Sequence, residues 1–366
     1  MDHTEGSPDR LLLFGYLLSE TGLGQGARNI AHALEAGRIP ATYVAAKIKD
    51  RSNDKEFLGK IATHIENNNT FSVCGLPDAQ KFHSTIQALG LNKKNYLYPS
   101  WELDRVPYSM HSALTAYDDI FVPSQFIADS LGQFLGRAIQ VIPQPVAIPA
   151  VTAATQISGD TLKIYSYLDF DSWVARKNPE GVLKAFQLAF PSKVDDVELT
   201  LKVKGYKDRG GREILQKCSH LDPRIKLIDA TLDRTAVDKL MADCHVFLSM
   251  HRSEGFGFGP AEALAAGKIV VATDYSGTRD FVNKTTGYPV DYKLIPVKPD
   301  EYPYAENQLW ADPMIDAAAH ALQAIYSHPH AALERAINGR EWMIRHHSFA
   351  ATGQLLKSLF ATQSTD

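Results

Sequence analysis

A glycine-rich segment between two carboxylates constrains this chain more than any other part of its sequence. Residues 251–267 read HRSEGFGFGPAEALAAG and follow an apolar run, HVFLSM, at 245–250. Gly255, Gly257 and Gly259 stand at alternate positions within it, and Pro260 opens an alanine-rich stretch that favours a helix. The pattern predicts a strand, a glycine loop and a helix N-terminus in succession. Such a unit binds anions, because backbone amides without Cβ crowding lie at the positive end of a helix dipole.

Glu254 and Glu262 flank this glycine loop. A carboxylate accepts two hydrogen bonds from adjacent hydroxyls, a capacity that a phosphate cradle does not need. Two carboxylates beside a diphosphate site therefore suggest two polyols, which in a nucleotide sugar would be the hexose and the ribose. The alternative is an ordinary α/β turn in which Glu262 only complements the helix dipole.

Length and composition narrow the class of protein. The chain has 366 residues, a formal net charge of −4, 45% hydrophobic and 22% charged residues, which fits an ordinary globular protein with two sizeable domains. The three cysteines lie far apart, which favours a reducing cytoplasm over a disulfide framework or a zinc site.

No apolar run is long enough to span a membrane, and the acidic N-terminus is unlike a signal peptide. The near-neutral charge gives no indication of a nucleic-acid partner. We therefore expect a cytoplasmic protein.

Short apolar strands alternate with helical patterns along the whole chain, which predicts an α/β fold with parallel sheets. A first series includes a glycine loop at 20–28 and a helix that ends near Gly37. A second series begins after the segment 139–160, which is rich in Pro, Ala, Ser and Thr. The predicted strands are 11–18, 41–46, 69–75, 95–100 and 118–124 in the first series, and 162–170, 197–205, 225–230, 245–250 and 268–273 in the second.

These two series predict two Rossmann-like domains that face each other across a cleft. We expect residues 1–148 to form the acceptor-side domain and residues 149–348 the donor-binding domain. A C-terminal helix at about 349–366 is expected to complete the first domain. Ligands of such folds bind beyond the carboxyl ends of the strands, where both glycine segments fall.

At this point the sequence resembles a known family, the retaining glycosyltransferases of family 4 (glycosyl transferases group 1), which have the GT-B fold. The resemblance depends first on two glutamates separated by seven residues within an EGFG…EA pattern, here Glu254 to Glu262. Further similar segments occur in the family's order, and they are VPSQFIADSL (122–131), VIPQPV (141–146), RKNPEGVLKAF (176–186) and VVATDYSGTRDFV (270–282).

The resemblance implies roles for residues of the second domain. Glu254 would hold hydroxyls of the donor sugar and Glu262 the donor ribose, while the loop residues Gly255, Phe256, Gly257 and Phe258 would contact sugar and diphosphate. Lys177 stands where the family has a lysine that opens the first helix of this domain. Arg176 lies beside it, and an arginine–lysine pair suits a diphosphate. The alternative for this pair is solvation of a helix start. Lys202 and Lys204, at the end of a strand, are further phosphate-side candidates.

In the first domain, Gly24 and Gly26, together with Gly22, match the family's N-terminal glycine loop near the donor phosphate. The same GxGxG pattern also serves dinucleotide-binding Rossmann units. Those units need an acidic residue at the end of the second strand, and here Lys47 follows that strand. This disfavours a hydride-transfer enzyme.

The sequence departs from the family on the acceptor side. Many relatives carry a histidine after a first-domain strand, but the comparable segment here, YLYPSWELDRVP at 96–107, has none directly after the strand. Glu102 is the candidate for orienting an acceptor hydroxyl. Trp101 is a candidate for stacking on a sugar ring, with domain packing as its alternative.

No metal or cofactor is expected. Asp169 and Asp171 form a DxD pattern, but Arg176 and Lys177 already supply positive charge, so we interpret both aspartates as structural. His328, His330, His346 and His347 lack ligand partners at sensible spacing and are expected at the surface.

The predicted function is the metal-independent transfer of a hexose from a UDP- or GDP-sugar to a hydroxyl acceptor with retained configuration. A glycan, glycolipid or lipid-linked acceptor of surface polysaccharide or glycolipid assembly is expected. An acceptor on a lipid carrier would be consistent with a peripheral association of the protein with the inner face of the membrane. Two alternatives remain, a non-catalytic subunit that binds nucleotide sugars and an epimerase on the same fold.

Overall fold

The computed structural model describes residues 10–48, 54–150, 161–170, 172–205 and 209–362. The chain divides into two compact units. The first unit comprises residues 1–147 and 345–366, and the second comprises residues 148–344. Each unit is built around its own six-stranded parallel sheet.

The first unit begins with strands and helices in alternation. Its elements in chain order are β1 (Leu11–Gly15), α1 (Gly22–Ala36), β2 (Ala41–Ala45), β3 (Thr70–Gly75), α2 (Ala79–Ala88), β4 (Asn95–Ser100), α3 (His111–Thr115), β5 (Asp119–Val122), α4 (Gln125–Leu135) and β6 (Gln140–Val141). The strand order is β2-β1-β3-β4-β5-β6. The apolar faces of the strands and of α1 pack together, since residues such as Leu13, Ile30 and Phe71 are fully buried.

The second unit repeats this architecture. Its elements are β7 (Leu162–Asp169), α5 (Val174–Lys177), α6 (Pro179–Ala189), β8 (Val197–Lys204), α7 (Arg209–Leu221), β9 (Ile225–Asp229), α8 (Arg234–Asp243), β10 (Val246–Ser249), α9 (Phe258–Ala265), β11 (Ile269–Thr273), β12 (Tyr288–Val290), β13 (Tyr292–Pro296), β14 (Leu309–Pro313), α10 (Ile315–Ser327) and α11 (Pro329–His347). The last residues of α11, from Arg345 onward, belong to the first unit. The main sheet has the order β12-β11-β10-β7-β8-β9. α10 packs against α6 over a core that includes Val182, Phe186 and Leu322.

The final helix, α12 (Phe349–Thr362), belongs to the first unit and packs along α1. Leu356 of this helix is fully buried, and the Phe360 ring lies 5.8 Å from the ring of Phe71. Gly37 ends α1, as the sequence predicts, with ordinary right-handed dihedrals. A Cβ at Gly37 would lie 2.5 Å from the carbonyl oxygen of Gly353, so this glycine is needed for the close approach of the two helices.

Three sequence predictions are wrong in detail. The segment 20–28 is not a loop, because α1 already begins at Gly22 and the Thr21 side chain caps it by accepting from the Gly24 amide at 3.2 Å. The segment 291–310, for which no strand is predicted, contributes β13 and β14, which pair in an antiparallel sheet. His347 is buried rather than exposed, and its Nδ1 lies 3.0 Å from the carbonyl oxygen of Gln144.

Part of the predicted inter-domain segment 139–160 lies outside the described residues, namely 151–160. Its beginning contributes β6, which pairs with β5. Within the part of the chain that the structure describes, no helix has the length and apolar character needed to span a bilayer.

Candidate active site

The candidate residues of the second unit lie where the strand order of its sheet reverses. The chain runs outward from β7 through β8 to β9 and then returns to the other side of β7 with β10. β7 and β10 are parallel neighbours, so the segments that follow them leave the same edge of the sheet side by side. Ligands of open α/β sheets bind at such a switch point. Arg176 and Lys177 follow β7, and Glu254 follows β10.

Local sequence explains how Arg176 and Lys177 are placed. They end the short helix α5, and Asn178 then adopts left-handed dihedrals, with φ 50°. This residue also caps α6, because its side chain accepts from the Gly181 amide at 3.2 Å, and Pro179 opens that helix. Asparagine tolerates the left-handed region and proline suits a first helical position. The Asn-Pro pair thus ends one helix and begins the next directly after the two cations.

Glu254 is paired with both of these cations. Its Oε2 lies 3.0 Å from Nη1 of Arg176, and its Oε1 lies 2.5 Å from Nζ of Lys177. Glu254 and Arg176 are buried, whereas Lys177 remains partly exposed. Burial alone would raise the pKa of Glu254, but Arg176 and Lys177 outweigh it and lower the pKa to about 2. The cluster therefore holds two basic side chains and a carboxylate that is ionised at neutral pH.

The glycine loop after Glu254 has a constrained backbone. Gly257 has φ 98°, and a Cβ at this position would lie 2.5 Å from Cγ2 of Thr278. Gly257 directly precedes α9, so the predicted strand, loop and helix occur in that order. The Phe256 side chain is buried against Phe281, with ring centroids 5.3 Å apart. Phe256 can thus present only its backbone to a ligand.

A second segment, residues 274–278 directly after β11, supports the glycine loop. The Glu254 amide donates to Oγ of Ser276 at 2.8 Å, and the Gly277 amide donates to the Glu254 carbonyl at 2.9 Å. A Cβ at Gly277 would lie 2.4 Å from the Gly255 carbonyl oxygen. These supporting residues belong to the DYSGTRDFV segment, but the sequence pattern did not single them out.

His251 connects the end of β10 with the segment that follows β11. It is fully buried, its Nδ1 lies 3.0 Å from Oγ of Ser249, and its Nε2 lies 3.2 Å from Oγ1 of Thr278. Burial lowers the pKa of His251 to about 4, so the ring is neutral at pH 7. Its place inside the network indicates a structural role.

Glu262 projects from α9 toward α8 and β7. Its Oε1 lies 2.7 Å from Nη1 of Arg234, and the Tyr167 hydroxyl donates to its Oε2 at 3.4 Å. Burial raises the pKa of Glu262, and the Arg234 guanidinium opposes this shift without cancelling it. Arg234 is a partner of Glu262 that the sequence analysis did not single out, because nothing in its own segment marks it.

The remaining candidate residues of the second unit differ in how deeply their side chains are buried. Lys202 is buried in β8, and burial together with Lys204 lowers its pKa to about 8. Lys204 is partly exposed and lies 3.4 Å from Asp169, which gives this aspartate an ion-pair partner. Asp171 lies outside the described residues. Among the described residues, no group of three or more His, Cys, Asp or Glu side chains could hold a metal ion.

The first-unit candidates follow β1 and β4. Gly24 and Gly26 are buried in the first turns of α1, and a Cβ at Gly24 would lie 2.0 Å from the Ser19 carbonyl oxygen. Glu102 is half-buried in the loop after β4, beside Trp101, whose side chain is only 3% exposed. With its side chain this deeply buried, Trp101 does not offer an exposed ring face for stacking on a sugar.

Comparison with known proteins agrees with this geometry. Residues 170–312, which contain both glutamates and the Arg176–Lys177 pair, match the family described as glycosyl transferases group 1. These residues belong to the group 1 glycosyltransferase family. The predicted family resemblance is thereby confirmed. No protein of curated function matches the sequence.

Solved structures of GT-B glycosyltransferases share the fold. The lipopolysaccharide outer core galactosyltransferase WaaB has a TM-score of 0.68 at 13% identity, over 96% of this chain and 99% of WaaB. Alr3699/HepE of Anabaena, in complex with UDP and glucose, has a TM-score of 0.67 at 14% identity, over 97% and 100%. TarM of S. aureus has a TM-score of 0.58 at 17% identity over 80% of this chain, which spans only 54% of TarM. The predicted GT-B fold class is confirmed.

Proposed function

We propose that this protein is a retaining glycosyltransferase that moves a hexose from a nucleotide-diphosphate sugar to a hydroxyl acceptor. The observation that supports this most directly is the cluster of Glu254, Arg176 and Lys177 beside the glycine loop and the N-terminus of α9. Two cations and a helix N-terminus suit a diphosphate, and a carboxylate beside them suits the hydroxyls of the attached sugar. UDP as the donor nucleotide is favoured by the UDP and glucose bound to Alr3699/HepE.

In this proposal the cluster stabilises charge that grows as the reaction proceeds. Cleavage of the bond between the sugar and the phosphate passes through an oxocarbenium-like state and leaves negative charge on the diphosphate. Arg176, Lys177 and the loop amides, already fixed in place, would stabilise that charge. Glu254 would accept hydrogen bonds from sugar hydroxyls while its ion pairs hold it ionised. The acceptor would attack from the face that the phosphate leaves, and the departing phosphate would take its proton.

We propose contacts with the rest of the donor for the other candidate residues. Glu262 would accept hydrogen bonds from the ribose, and the backbone of Gly255, Phe256, Gly257 and Phe258 would contact sugar and diphosphate. Lys202 would add positive potential from within the sheet, since it is buried, and Lys204 is the more accessible of the two. Gly24 and Gly26 remain candidates for the donor phosphate, and Glu102 remains the candidate for orienting the acceptor.

The remaining parts of the proposal concern the acceptor and the cellular setting. We propose a glycan, glycolipid or lipid-linked acceptor of surface polysaccharide assembly, reached at the inner face of the membrane by a cytoplasmic enzyme. The first unit would be the acceptor-side domain, completed by α12, and the second the donor-binding domain. The ion-paired cations make a metal unnecessary for neutralising the diphosphate.

The experiment that tests the function combines binding and turnover. The protein is titrated with UDP, GDP, ADP, CDP and NAD while its melting temperature is followed, and UDP- or GDP-hexoses are then assayed for release of the nucleoside diphosphate. We expect one nucleoside diphosphate to raise the melting temperature, because a ligand that binds the native state stabilises it. Stabilisation by NAD alone would contradict the proposal. Binding without turnover, with any acceptor supplied, would favour the non-catalytic subunit. Conversion of the donor sugar without an acceptor would favour the epimerase.

A matched pair of variants tests the central residue. Glu254→Gln keeps the shape of the side chain but removes the charge that faces Arg176 and Lys177. We expect it to lower the transfer rate by about 100-fold or more, the scale typical of losing one preorganised electrostatic contact. Glu180→Gln is the control, because Glu180 forms an exposed pair with Lys184 within α6. Wild-type turnover in Glu254→Gln would show that Glu254 has no role in transfer.

A further inference from the structure

Arg234 lies against Glu262, although its segment carries no recognisable pattern. It is the first residue of α8, and its Nη1 lies 2.7 Å from Oε1 of Glu262. Its Nε lies 2.8 Å from Oδ1 of Asp238, one helical turn along. The Asp233 side chain caps this helix by accepting from the Ala236 amide at 2.8 Å. Arg234 is thus held at a defined place by its own helix.

The second oxygen of Glu262 also has a fixed partner. The Tyr167 hydroxyl donates to Oε2 from β7. The first turn of α9 lies close to this ring, since a Cβ at Gly259 would be 3.4 Å from Cζ of Tyr167 and 2.7 Å from the Phe247 ring. An ionised carboxylate has about four acceptor positions. Arg234 and Tyr167 use two of them, so one position on each oxygen remains.

The ionisation state of Glu262 decides what it can hold. A sugar with two neighbouring hydroxyls donates two hydrogen bonds, and only the ionised carboxylate accepts on both oxygens. Burial favours the protonated form of Glu262. The charged groups that face it are Arg234 and Asp238 from α8, with the Tyr167 hydroxyl from β7, and Arg234 is the cation among them.

We propose that Arg234 is a positioning residue that keeps the Glu262 carboxylate ionised and oriented to accept both hydroxyls of the donor ribose. Arg234 itself contacts neither the phosphate nor the base. This inference rests on the proposed function, because the ribose belongs to the donor nucleotide.

The test compares nucleotides with and without the ribose hydroxyls. Dissociation constants are measured by calorimetry for UDP, 2′,3′-dideoxy-UDP, GDP and 2′,3′-dideoxy-GDP. The variants are Arg234→Gln, Arg234→Lys, Glu262→Gln and the control Lys184→Gln, which removes a cation from an exposed pair in α6. Thermal unfolding of each variant without ligand establishes that it is folded.

We expect the wild type and Lys184→Gln to bind the ribonucleotide about tenfold more tightly than its dideoxy form, since each hydrogen bond to a charged group contributes measurably. We call the ratio of the two dissociation constants, dideoxy form to ribonucleotide, the ribose ratio. Arg234→Gln should lose most of this ratio at pH 6 and recover part of it at pH 8.5, as the carboxyl of Glu262 ionises again. Arg234→Lys should keep more of the ratio than Arg234→Gln at pH 6. Glu262→Gln should lose the ratio at both pH values.

Two results would overturn the role of Arg234 while leaving the proposed function intact. In the first, Arg234→Gln weakens ribose and dideoxy forms equally, which indicates direct contact with the phosphate or base. In the second, Arg234→Gln keeps the full ratio at pH 6. If the wild type binds neither UDP nor GDP, the proposed function fails together with the inference.

Discussion

At the scale of single residues, Gly257 is subject to two independent constraints. Its φ of 98° lies in the region that glycine adopts without strain, and a Cβ there would lie 2.5 Å from the Thr278 methyl group. We predict that Gly257→Ala lowers the free energy of unfolding by about 2 kcal/mol or more, because backbone strain and the clash add. Chemical denaturation measures this loss. Binding of UDP should weaken as well, since the loop amides shift.

The Thr278→Ser variant separates the two constraints. It removes the methyl group that a Cβ at 257 would meet but keeps the hydroxyl that lies 3.2 Å from His251. In the Gly257→Ala background, Thr278→Ser should restore part of the lost stability and leave the backbone strain. Gly59→Ala is the control, because no atom lies within 4 Å of a Cβ at that position. Equal stability of Gly257→Ala and wild type would contradict this account.

The sequence analysis singled out three side chains that the structure brings together, but it did not predict their contacts with one another. Each of Glu254, Arg176 and Lys177 lies in its own recognisable sequence pattern. From those patterns we expected Glu254 to bind the donor sugar, and Arg176 and Lys177 to bind the diphosphate. The structure pairs them because β7 and β10 are neighbours in the sheet although their residues are about 80 positions apart. Arg234 had no local pattern, and Ser276 lies in a family-like segment that did not single it out. Contacts between loops depend on strand order, which propensity and periodicity do not encode.

At the scale of elements, the pairing of α1 with α12 depends on two glycines. A Cβ at Gly353 would lie 2.4 Å from the Ala33 carbonyl oxygen and 2.7 Å from the Gly37 amide nitrogen. These are backbone atoms, which cannot move aside as a flexible side chain can. We predict that Gly353→Ala lowers the free energy of unfolding by about 2 kcal/mol or more, because the helices must separate and lose packing around Leu356.

Gly22→Ala is the matched control for that prediction. Gly22 also lies in a helix of this unit, but a Cβ there meets no atom within 4 Å. Alanine favours a helix over glycine by about 1 kcal/mol in its interior, so this change should leave stability equal or slightly higher. Amide hydrogen exchange should show loss of protection in α12 for Gly353→Ala alone. Unchanged protection there would mean that the helices tolerate the extra atom.

The elements themselves were predicted where sequence and packing agree. β4 has the predicted bounds, since it is a largely apolar run with clear ends. The start of α1 was missed because three glycines disfavour a helix by propensity, whereas the Thr21 cap and the close approach of Gly24 to Ser19 favour it. β13 and β14 were missed because they pair across a connection of 12 residues, 297–308, without a turn pattern.

At the scale of the whole molecule, each unit carries one deeply buried neutral histidine. His251 lies beneath the glycine loop of the second unit, and His347 lies beside Gln144 in the first. Burial lowers the pKa of each ring to about 4, below the usual value of 6.5. In the unfolded chain both rings take up a proton near pH 6.5, while in the folded protein they do so only near pH 4. Between these values the unfolded state binds more protons, so acidification favours unfolding.

We therefore predict that the free energy of unfolding falls as the pH is lowered from about 6.5 to about 4, by roughly 3 kcal/mol for each histidine. The same pH window applies to both units, and it lies largely above the range in which Glu254 loses its ion pairs, because that carboxyl has a pKa of about 2. Denaturant titrations at half-unit pH steps measure the slope. His347→Gln should make the slope shallower, because it removes one of the buried rings whose pKa is lowered. A slope that His347→Gln leaves unaltered would mean that this ring already carries its proton in the folded protein.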